Sequence, residues 1–181
     1  MKVDSMTEIP AGTWAIDPIH TSVEFRVKHL GISTYSGRFN EVSGTIVTGA
    51  GSIDSVDGTA KAASVAVSDE GLIGHLKSPD FFDADANPDI KFVSKSVTLN
   101  GDTLTMTGDF TLRGVTKELE LKGELEGVGN DLYGNTKLGV TAEGVINRGD
   151  FGLNFNAALD SGAQAVGERV KLLLHVEAVK Q

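Results

Sequence analysis

The chain has 181 residues, 40% of them hydrophobic, which is typical of one globular domain with a sizeable buried core. Its 16 basic and 25 acidic residues give a formal net charge of −9, which disfavours nucleic acid as a partner because the phosphates would be repelled. The absence of cysteine excludes disulfides, thiolate metal sites and cysteine nucleophiles.

The N-terminal residues give an expectation about location. Residues 1–12 contain no apolar segment long enough for an export signal, and no run in the chain approaches the ~20 apolar residues of a membrane-spanning helix. We therefore expect a cytoplasmic protein without a transmembrane segment, while noting that a processed exported form would leave the same sequence. We assign residues 1–12 to a flexible N-terminal segment and residues 13–181 to a single domain.

The first long predicted strand covers residues 20–30, where apolar and charged side chains alternate. Val23, Phe25 and Val27 share one face with His29, and the opposite face is polar and charged. Because side chains alternate with a period of two in a strand, this segment has one dry face and one wet face. The histidine that ends the dry row indicates that the interior contains something other than ordinary core.

Similar segments recur along the chain, separated by many of its 22 glycines, which is typical of an all-β protein. Residues 103–113 and 118–126 are predicted to form a hairpin around a tight turn at Arg113-Gly114-Val115-Thr116. Residues 137–143 continue the alternation. Further strands are predicted at approximately residues 13–17, 37–48, 60–68, 89–99, 144–154 and 168–179.

One stretch, about residues 71–85, breaks the alternation. Leu72, Ile73 and Leu76 lie at positions i, i+1 and i+4, which suits one short helix, and Pro79 is expected to open a second turn. Eight or nine one-faced strands favour closure into a barrel, because closure removes exposed edges. An eight-stranded barrel is either filled by side chains or wide enough for one small ligand, and the pattern leaves both open.

Five motifs in chain order carry a family resemblance. They are WAIDPIHTSVEF (14–25) with KHL (28–30) and GRF (37–39), HLKSPDFFD (75–83), GDFTLRGVTK (108–117), NRGDFG (147–152) and VGERV (166–170). Together they resemble the YceI-like polyisoprenoid-binding family over residues 13–179. The resemblance implies an antiparallel eight-stranded lipocalin-like barrel with an elongated apolar cavity and with the helical segment near one mouth.

The resemblance also implies a function. Members of the family are understood as non-catalytic carriers of one long isoprenoid, quinone-like or fatty-acyl chain, often as homodimers. No cofactor is expected beyond such a bound lipid, and the partner is expected to be an amphiphilic lipid. The candidate ligand-binding residues are Val23, Phe25, Val27, His29, Phe39, His75, Phe81, Phe82, Phe92, Met106, Phe110, Arg148 and Phe151.

Several of these residues have a second, structural interpretation. Apolar positions on the dry faces are either core or cavity wall. Of the adjacent pair Phe81 and Phe82, one is expected to anchor the segment in the core, and the other has two interpretations, a structural residue or, less favoured, a lid over the mouth. His29 and His75 either contact a head group or are satisfied by neighbours. No two of the four histidines have the spacing of a helical zinc pair, so we expect no metal site.

The position of Arg148 also has two interpretations. An ion pair with Asp150, two residues away, is the first; an anchor for a phosphate or quinone oxygen is the second. No nucleophile elbow, phosphate loop or metal motif is present, so no catalytic residue is assigned. Two other functions stay open: a barrel with a filled core that acts through a surface protein partner, and an enzyme on the same barrel with a lipidic substrate.

Overall fold

A computed structural model describes residues 8–181, which form eleven strands, one helix and two short 3-10 turns. The strands are β1 (Gly12–Ile16), β2 (Ser22–His29), β3 (Ser33–Phe39), β4 (Val42–Gly49), β5 (Ser52–Lys61), β6 (Val65–Ala66), β7 (Asp89–Asn100), β8 (Thr103–Leu112), β9 (Val115–Asn130), β10 (Thr136–Asn147) and β11 (Val166–Lys180). The helix α1 spans Glu70–Lys77, and the 3-10 turns span Ala62–Ser64 and Arg148–Phe151.

The sheet is antiparallel and closes on itself. Eight strands form the ring in the order β1, β4, β5, β7, β8, β9, β10 and β11, and β11 pairs back onto β1. The last residues of β11 pair with β1, and its earlier residues pair with β2. The strands β1 and β2 therefore lie one after the other along the same edge of β11. The predicted all-β, eight-stranded barrel with a short helix is confirmed.

The hairpin between β8 and β9 follows from its turn residues. Arg113 and Gly114 have φ values of 52° and 73°, and two consecutive positive φ angles are what a two-residue hairpin turn requires. The pairing of β8 with β9 aligns Met106 with Leu121. Both side chains are buried, which confirms the predicted hairpin with a common dry face.

Some predicted strand boundaries are wrong. The segment 37–48 is divided into β3 and β4, and the segment 60–68 is interrupted by the 3-10 turn Ala62–Ser64. Residues 144–154 are not a separate strand, because β10 runs through residue 147 and the 3-10 turn Arg148–Phe151 follows. Two local features set that turn: the Asn147 side chain accepts a hydrogen bond from Gly149 N at 2.9 Å, and Gly152 has a φ of 79°.

The helical segment is shorter than predicted. The helix α1 begins after Asp69, whose carboxylate accepts a hydrogen bond from Gly71 N at 2.9 Å, and it ends at Lys77. Leu76 is buried, and residues 79–82 form turns rather than helix. The helix is too short and too polar to cross a membrane, and no other α-helix occurs in residues 8–181.

The packed domain begins before residue 13. Ile9 is 3% exposed, and Gly51 N donates a hydrogen bond to its carbonyl oxygen at 2.9 Å. Packing against the barrel therefore includes Ile9, within the predicted segment 1–12, and the flexibility of that segment stays a prediction. Residues 1–7 of that predicted segment lie outside the described residues.

One end of the barrel is filled by side chains. Trp14, Ile46, Leu104 and Leu138 are at most 1% exposed, and we call this group the closed end. The indole N–H of Trp14 donates to Thr48 Oγ1 at 2.8 Å, so the polar atom of the largest core side chain is satisfied. The opposite end, where α1 and the 3-10 turn Arg148–Phe151 lie, is the mouth.

Candidate functional site

A cavity of about 590 Å³ occupies the barrel between the closed end and the mouth. Its wall is formed almost entirely by apolar side chains, and its volume lies within the ~300–1,000 Å³ that is usual for ligand pockets. At ~30 Å³ for each water-sized group, such a volume accommodates roughly twenty carbon-sized groups. The interior is therefore not filled by side chains, and the alternative of a barrel with a filled core is contradicted.

The cavity wall contains all but one of the predicted ligand-binding residues. Those that line it are Val23, Phe25, Val27, His29, Phe39, His75, Phe81, Phe82, Phe92, Met106, Phe110 and Arg148. Phe151 does not line it. Phe151 is 3% exposed and packs edge-on against Phe110 with ring centroids 5.5 Å apart, because the 3-10 turn places it behind the wall. Contact of the lining residues with a ligand remains a prediction.

Three phenylalanines of the wall pack against one another. The Phe82 ring lies 5.4 Å from that of Phe39 and 6.2 Å from that of Phe25, and the last two are 5.7 Å apart. Gly37 makes this packing possible, since a Cβ there would lie 2.3 Å from the Phe25 ring. Phe82 is thus the member of the Phe81-Phe82 pair that anchors the segment in the barrel.

A second aromatic group lies near the mouth, and its role as a cover stays a prediction. The rings of His75, Phe81 and Phe155 pack against one another: His75 is edge-to-face with both phenylalanines, at centroid distances of 5.0 and 4.7 Å, and the phenylalanines are 5.2 Å apart. Phe155 is 38% exposed, although it also lines the cavity. Sequence reasoning missed Phe155 because it lies in a loop without regular alternation.

The two predicted histidines differ in their surroundings. His75 Nε2 is 2.9 Å from Asp80 Oδ2, so a neighbour within the same segment satisfies it. His29 is exposed at the end of β2, and its ring has no hydrogen-bond partner among residues 8–181. His29, the last residue of the inward-facing row of β2, therefore lies at the mouth of the cavity and not in the core.

Arg148 is engaged by main-chain carbonyls near the mouth. Its guanidinium donates hydrogen bonds to the carbonyl oxygens of Leu153 (2.6 Å), Phe155 (2.9 Å), Val166 (3.2 Å) and Gly167 (2.8 Å). The side chain is buried, which lowers the pKa of the guanidinium, and none of the ion pairs among residues 8–181 joins it to Asp150. The predicted ion pair is wrong because residues 148–151 form a turn rather than a strand.

Tyr35 is a wall residue that the sequence interpretation missed. It lines the cavity, and its hydroxyl oxygen is buried without a hydrogen-bond partner among the described residues. An unsatisfied buried hydroxyl costs about 1–3 kcal/mol. Strand alternation could have identified Tyr35. It lies on the same face of β3 as Gly37 and Phe39, and Phe39 was assigned to the wall.

A polar cluster lies outside the cavity, where β1 meets β2. His20 Nδ1 is 2.7 Å from Asp17 and 3.1 Å from Glu177, and the hydrogen bond with Asp17 is the main cause of the lowered pKa of that carboxyl. These three side chains are close enough to share an ion. Lys137 Nζ, 3.5 Å from Asp17 and 3.8 Å from Glu177, already places a positive charge beside the carboxylates.

The fold and sequence can be compared with known proteins. A UPF0312 protein of Pseudomonas paraeruginosa is 37% identical over 164 residues, which cover 90% of this chain and 83% of that protein. The crystal structure of a Campylobacter jejuni YCEI protein matches with a TM-score of 0.73 at 31% identity, covering 85% of this chain and 90% of that one.

A more distant structure shares the fold alone. It is a polyisoprenoid binding domain from Saccharophagus degradans, with a TM-score of 0.70 at 11% identity, covering 93% of this chain and 98% of that one. The profile of the YceI-like domain matches residues 14–178, which is nearly the whole length of the barrel. With the barrel, its closed end and its cavity in place, these matches show that the chain belongs to the YceI-like domain family.

Proposed function

We propose that this protein binds one long isoprenoid-like or fatty-acyl chain inside the barrel and carries it without chemical change. The single observation that supports this most is the apolar cavity of about 590 Å³, closed at one end and bordered by aromatic side chains at the other. Membership of the YceI-like family supports the same function, as does the similar fold of the polyisoprenoid binding domain from Saccharophagus degradans.

The energetics suit an apolar tail. Each buried methylene contributes ~0.8 kcal/mol, so ten carbons contribute roughly 8 kcal/mol before the costs of ordering the chain are subtracted. A binding free energy of about 8 kcal/mol corresponds to micromolar affinity, so the ordering costs are met by burying more than ten carbons, and the cavity accommodates roughly twenty. The wall then needs shape and apolarity more than hydrogen bonds, which is the composition it has.

A non-catalytic role is part of the proposal. The polar side chains of the wall are largely engaged in structure: Arg148 with four carbonyls, His75 with Asp80, and Asp69 with the start of α1. Replacing His29 and His75 by glutamine tests this part. Turnover of a lipidic substrate that fell while binding survived would show that the barrel is an enzyme.

Native mass spectrometry of gently purified protein tests the carrier function. We expect a bound lipid mass on the wild type and on Val145→Phe, because Val145 is 44% exposed on the outer surface of β10. We expect less bound lipid, or a shorter one, on Ala142→Phe, since Ala142 lies on the same strand and lines the cavity, which the added ring would partly fill. Both variants should keep the β-sheet circular dichroism of the wild type. Lipid-free wild type under gentle conditions, combined with no binding of added lipid, would contradict the proposal.

Two further expectations accompany this function. A homodimer is a candidate assembly, which sedimentation of the purified protein tests. A cytoplasmic location stays a prediction that fractionation of cells tests. Neither is needed for a cavity within one chain to bind a lipid.

A further inference from the structure

Large apolar side chains are exposed beside the mouth of the cavity. Ile32 is 82% exposed at the tip of the β2–β3 hairpin, and Phe155 is 38% exposed in the loop before β11. We call the hairpin tip, residues 29–36, and the loop, residues 153–165, the mouth rim. Exposed apolar side chains that border an apolar cavity indicate a surface that meets another apolar phase.

The two segments of the mouth rim border each other. Leu30 N donates a hydrogen bond to Ala165 O at 2.9 Å, and His29 is aligned with Val166 in the pairing of β2 with β11. His29, Ala165 and Phe155 also line the cavity, so the rim is continuous with the cavity wall. A lipid tail that left the cavity here would pass directly from the wall onto the rim.

The hairpin tip is a tight turn that projects from the barrel. Leu30 has a φ of 56° and Gly31 a φ of 72°, and Ile32 N donates to His29 O at 3.1 Å. A Cβ added at Gly31 would meet no atom within 4 Å beyond its immediate neighbours in the chain. Turns of this kind usually contain asparagine, aspartate and glycine. Here the tip presents the apolar side chain of Ile32 to its surroundings instead.

The charge of the mouth rim decides which apolar phase it suits. Asp160 is its only residue with a formal charge when His29 is neutral, whereas 23% of the residues in the chain are charged. The helix α1, also at the mouth, differs because Asp69, Glu70 and Lys77 are exposed there. Unpaired charges are strongly disfavoured in lipid, so the rim suits a bilayer surface and α1 does not. The net charge of −9 adds repulsion from anionic lipids.

We propose that the mouth rim docks on a bilayer without net charge, with Ile32 and Phe155 in its apolar layer, and that lipid passes between bilayer and cavity at this contact. This inference rests on the proposed lipid-binding function and adds the surface from which the ligand comes. Transfer at a contact avoids exposing a long apolar chain to water. Burial of the Ile32 side chain in the bilayer should strengthen docking about tenfold.

Insertion of the hairpin tip is tested with Ile32→Trp and phosphatidylcholine vesicles. We expect the tryptophan emission to shift to the blue when vesicles are added, because the indole leaves water. Ile19→Trp is the matched control, since Ile19 is 84% exposed but lies between β1 and β2, outside the mouth rim and the cavity wall. Trp14 is fully buried and should not respond. No shift at position 32, or an equal shift at position 19, would overturn the proposal.

The route of transfer is tested by the rate at which delipidated protein takes up a twenty-carbon prenyl alcohol from phosphatidylcholine vesicles. At a fixed ratio of alcohol to lipid, the rate should rise with vesicle concentration and change less than about twofold between about 50 and 500 mM salt. Ile32→Ser should lower the rate about tenfold, and Ile19→Ser should leave it unchanged. A rate independent of vesicle concentration would show transfer through water and overturn the proposal. Faster uptake from anionic vesicles would overturn the uncharged surface.

A water-soluble ligand separates failure of docking from failure of lipid binding. The ten-carbon prenyl alcohol geraniol reaches the cavity from solution, so its dissociation constant should be the same for the wild type, Ile32→Ser and Ile19→Ser. Weaker binding of geraniol by Ile32→Ser would show that Ile32 shapes the cavity instead. Wild type that binds geraniol but fails both vesicle tests would overturn docking and leave the proposed function standing. Wild type that binds neither alcohol would overturn both proposals.

Discussion

The two ends of the barrel use the same strand pattern for opposite purposes. At the closed end, inward side chains such as Trp14 and Leu104 are fully buried. Towards the mouth, inward side chains such as Val27 and Leu172 face a cavity of about 590 Å³. Alternation alone is identical in both regions, so the difference lies in which residues meet across the interior.

The comparison shows how one small barrel combines stability with capacity. Close packing at the closed end supplies dispersion contacts and hydrophobic burial, which stabilise the fold without help from a ligand. The cavity wall contributes less to folding, because its side chains lack neighbours on one side. That wall is therefore available for an apolar ligand whose burial restores the missing contacts.

The same substitution in the two regions gives the largest expected contrast. Leu104→Ala removes a fully buried side chain at the closed end and should lower the free energy of unfolding by about 4 kcal/mol. Leu172→Ala shortens a partly exposed side chain of the wall and should cost only about 1 kcal/mol in delipidated protein. Urea unfolding of both variants measures the difference. Equal losses would contradict the distinction between a packed end and a cavity wall.

Arg148 provides a second way to test the mouth. Arg148→Met leaves four carbonyl oxygens without their shared donor and should lower the free energy of unfolding by about 3 kcal/mol. Arg148→Lys should recover little of this, because one ammonium cannot reproduce the planar fork of donors. Chemical denaturation of the two variants is the measurement. A stable Arg148→Met with impaired lipid binding would show that the residue serves the ligand instead.

A smaller effect is expected at the contact between Gly37 and Phe25. Gly37→Ala would place a Cβ 2.3 Å from the ring of Phe25, which lines the cavity, so the ring must shift. Overpacking of this kind costs about 1–3 kcal/mol. Thermal unfolding and lipid affinity should both decline. Gly127→Ala is the control, since a Cβ added at Gly127 would meet no atom within 4 Å beyond its immediate neighbours in the chain.

The smallest predicted effect concerns pH and the junction of β1 with β2. The hydrogen bond from His20 lowers the pKa of Asp17 below its ordinary 3.8. The stabilisation is therefore complete above the ordinary value and is lost as the pH falls through the lowered one. At neutral pH Asp17→Asn should cost ~0.5–1 kcal/mol relative to the wild type. That difference should shrink as the pH falls below about 4, and unfolding free energies at several pH values measure it. A difference that stayed constant with pH would show that the charge of Asp17 is not involved.

The sequence predicted those features that depend on local periodicity. The alternation of residues 20–30 located β2, and positive φ at Arg113-Gly114 is a local property of the turn that the motif indicated. Arg148 could not be interpreted in this way. Its partners come from residues 153–167, which only the folded loop brings around the guanidinium.

The cavity itself was beyond sequence patterns for a related reason. Whether an inward side chain meets another or faces open space depends on distances across the barrel, and both arrangements have the same period of two. The family resemblance indicated a cavity, and strand parity could have added Tyr35 to its wall. Alternation could not show that Phe151 lies outside the cavity wall. Its position depends on the 3-10 turn Arg148–Phe151, which the capping side chain of Asn147 and the positive φ of Gly152 determine.

The most direct test of the central claim is the dissociation constant for a series of prenyl alcohols of increasing chain length. We predict that the affinity of delipidated protein rises with each carbon, by at most ~0.8 kcal/mol, until roughly twenty carbons fill the 590 Å³ cavity. Longer chains should then bind with the same affinity, because the additional carbons extend beyond the mouth. An affinity that does not depend on chain length would contradict a ligand-binding cavity.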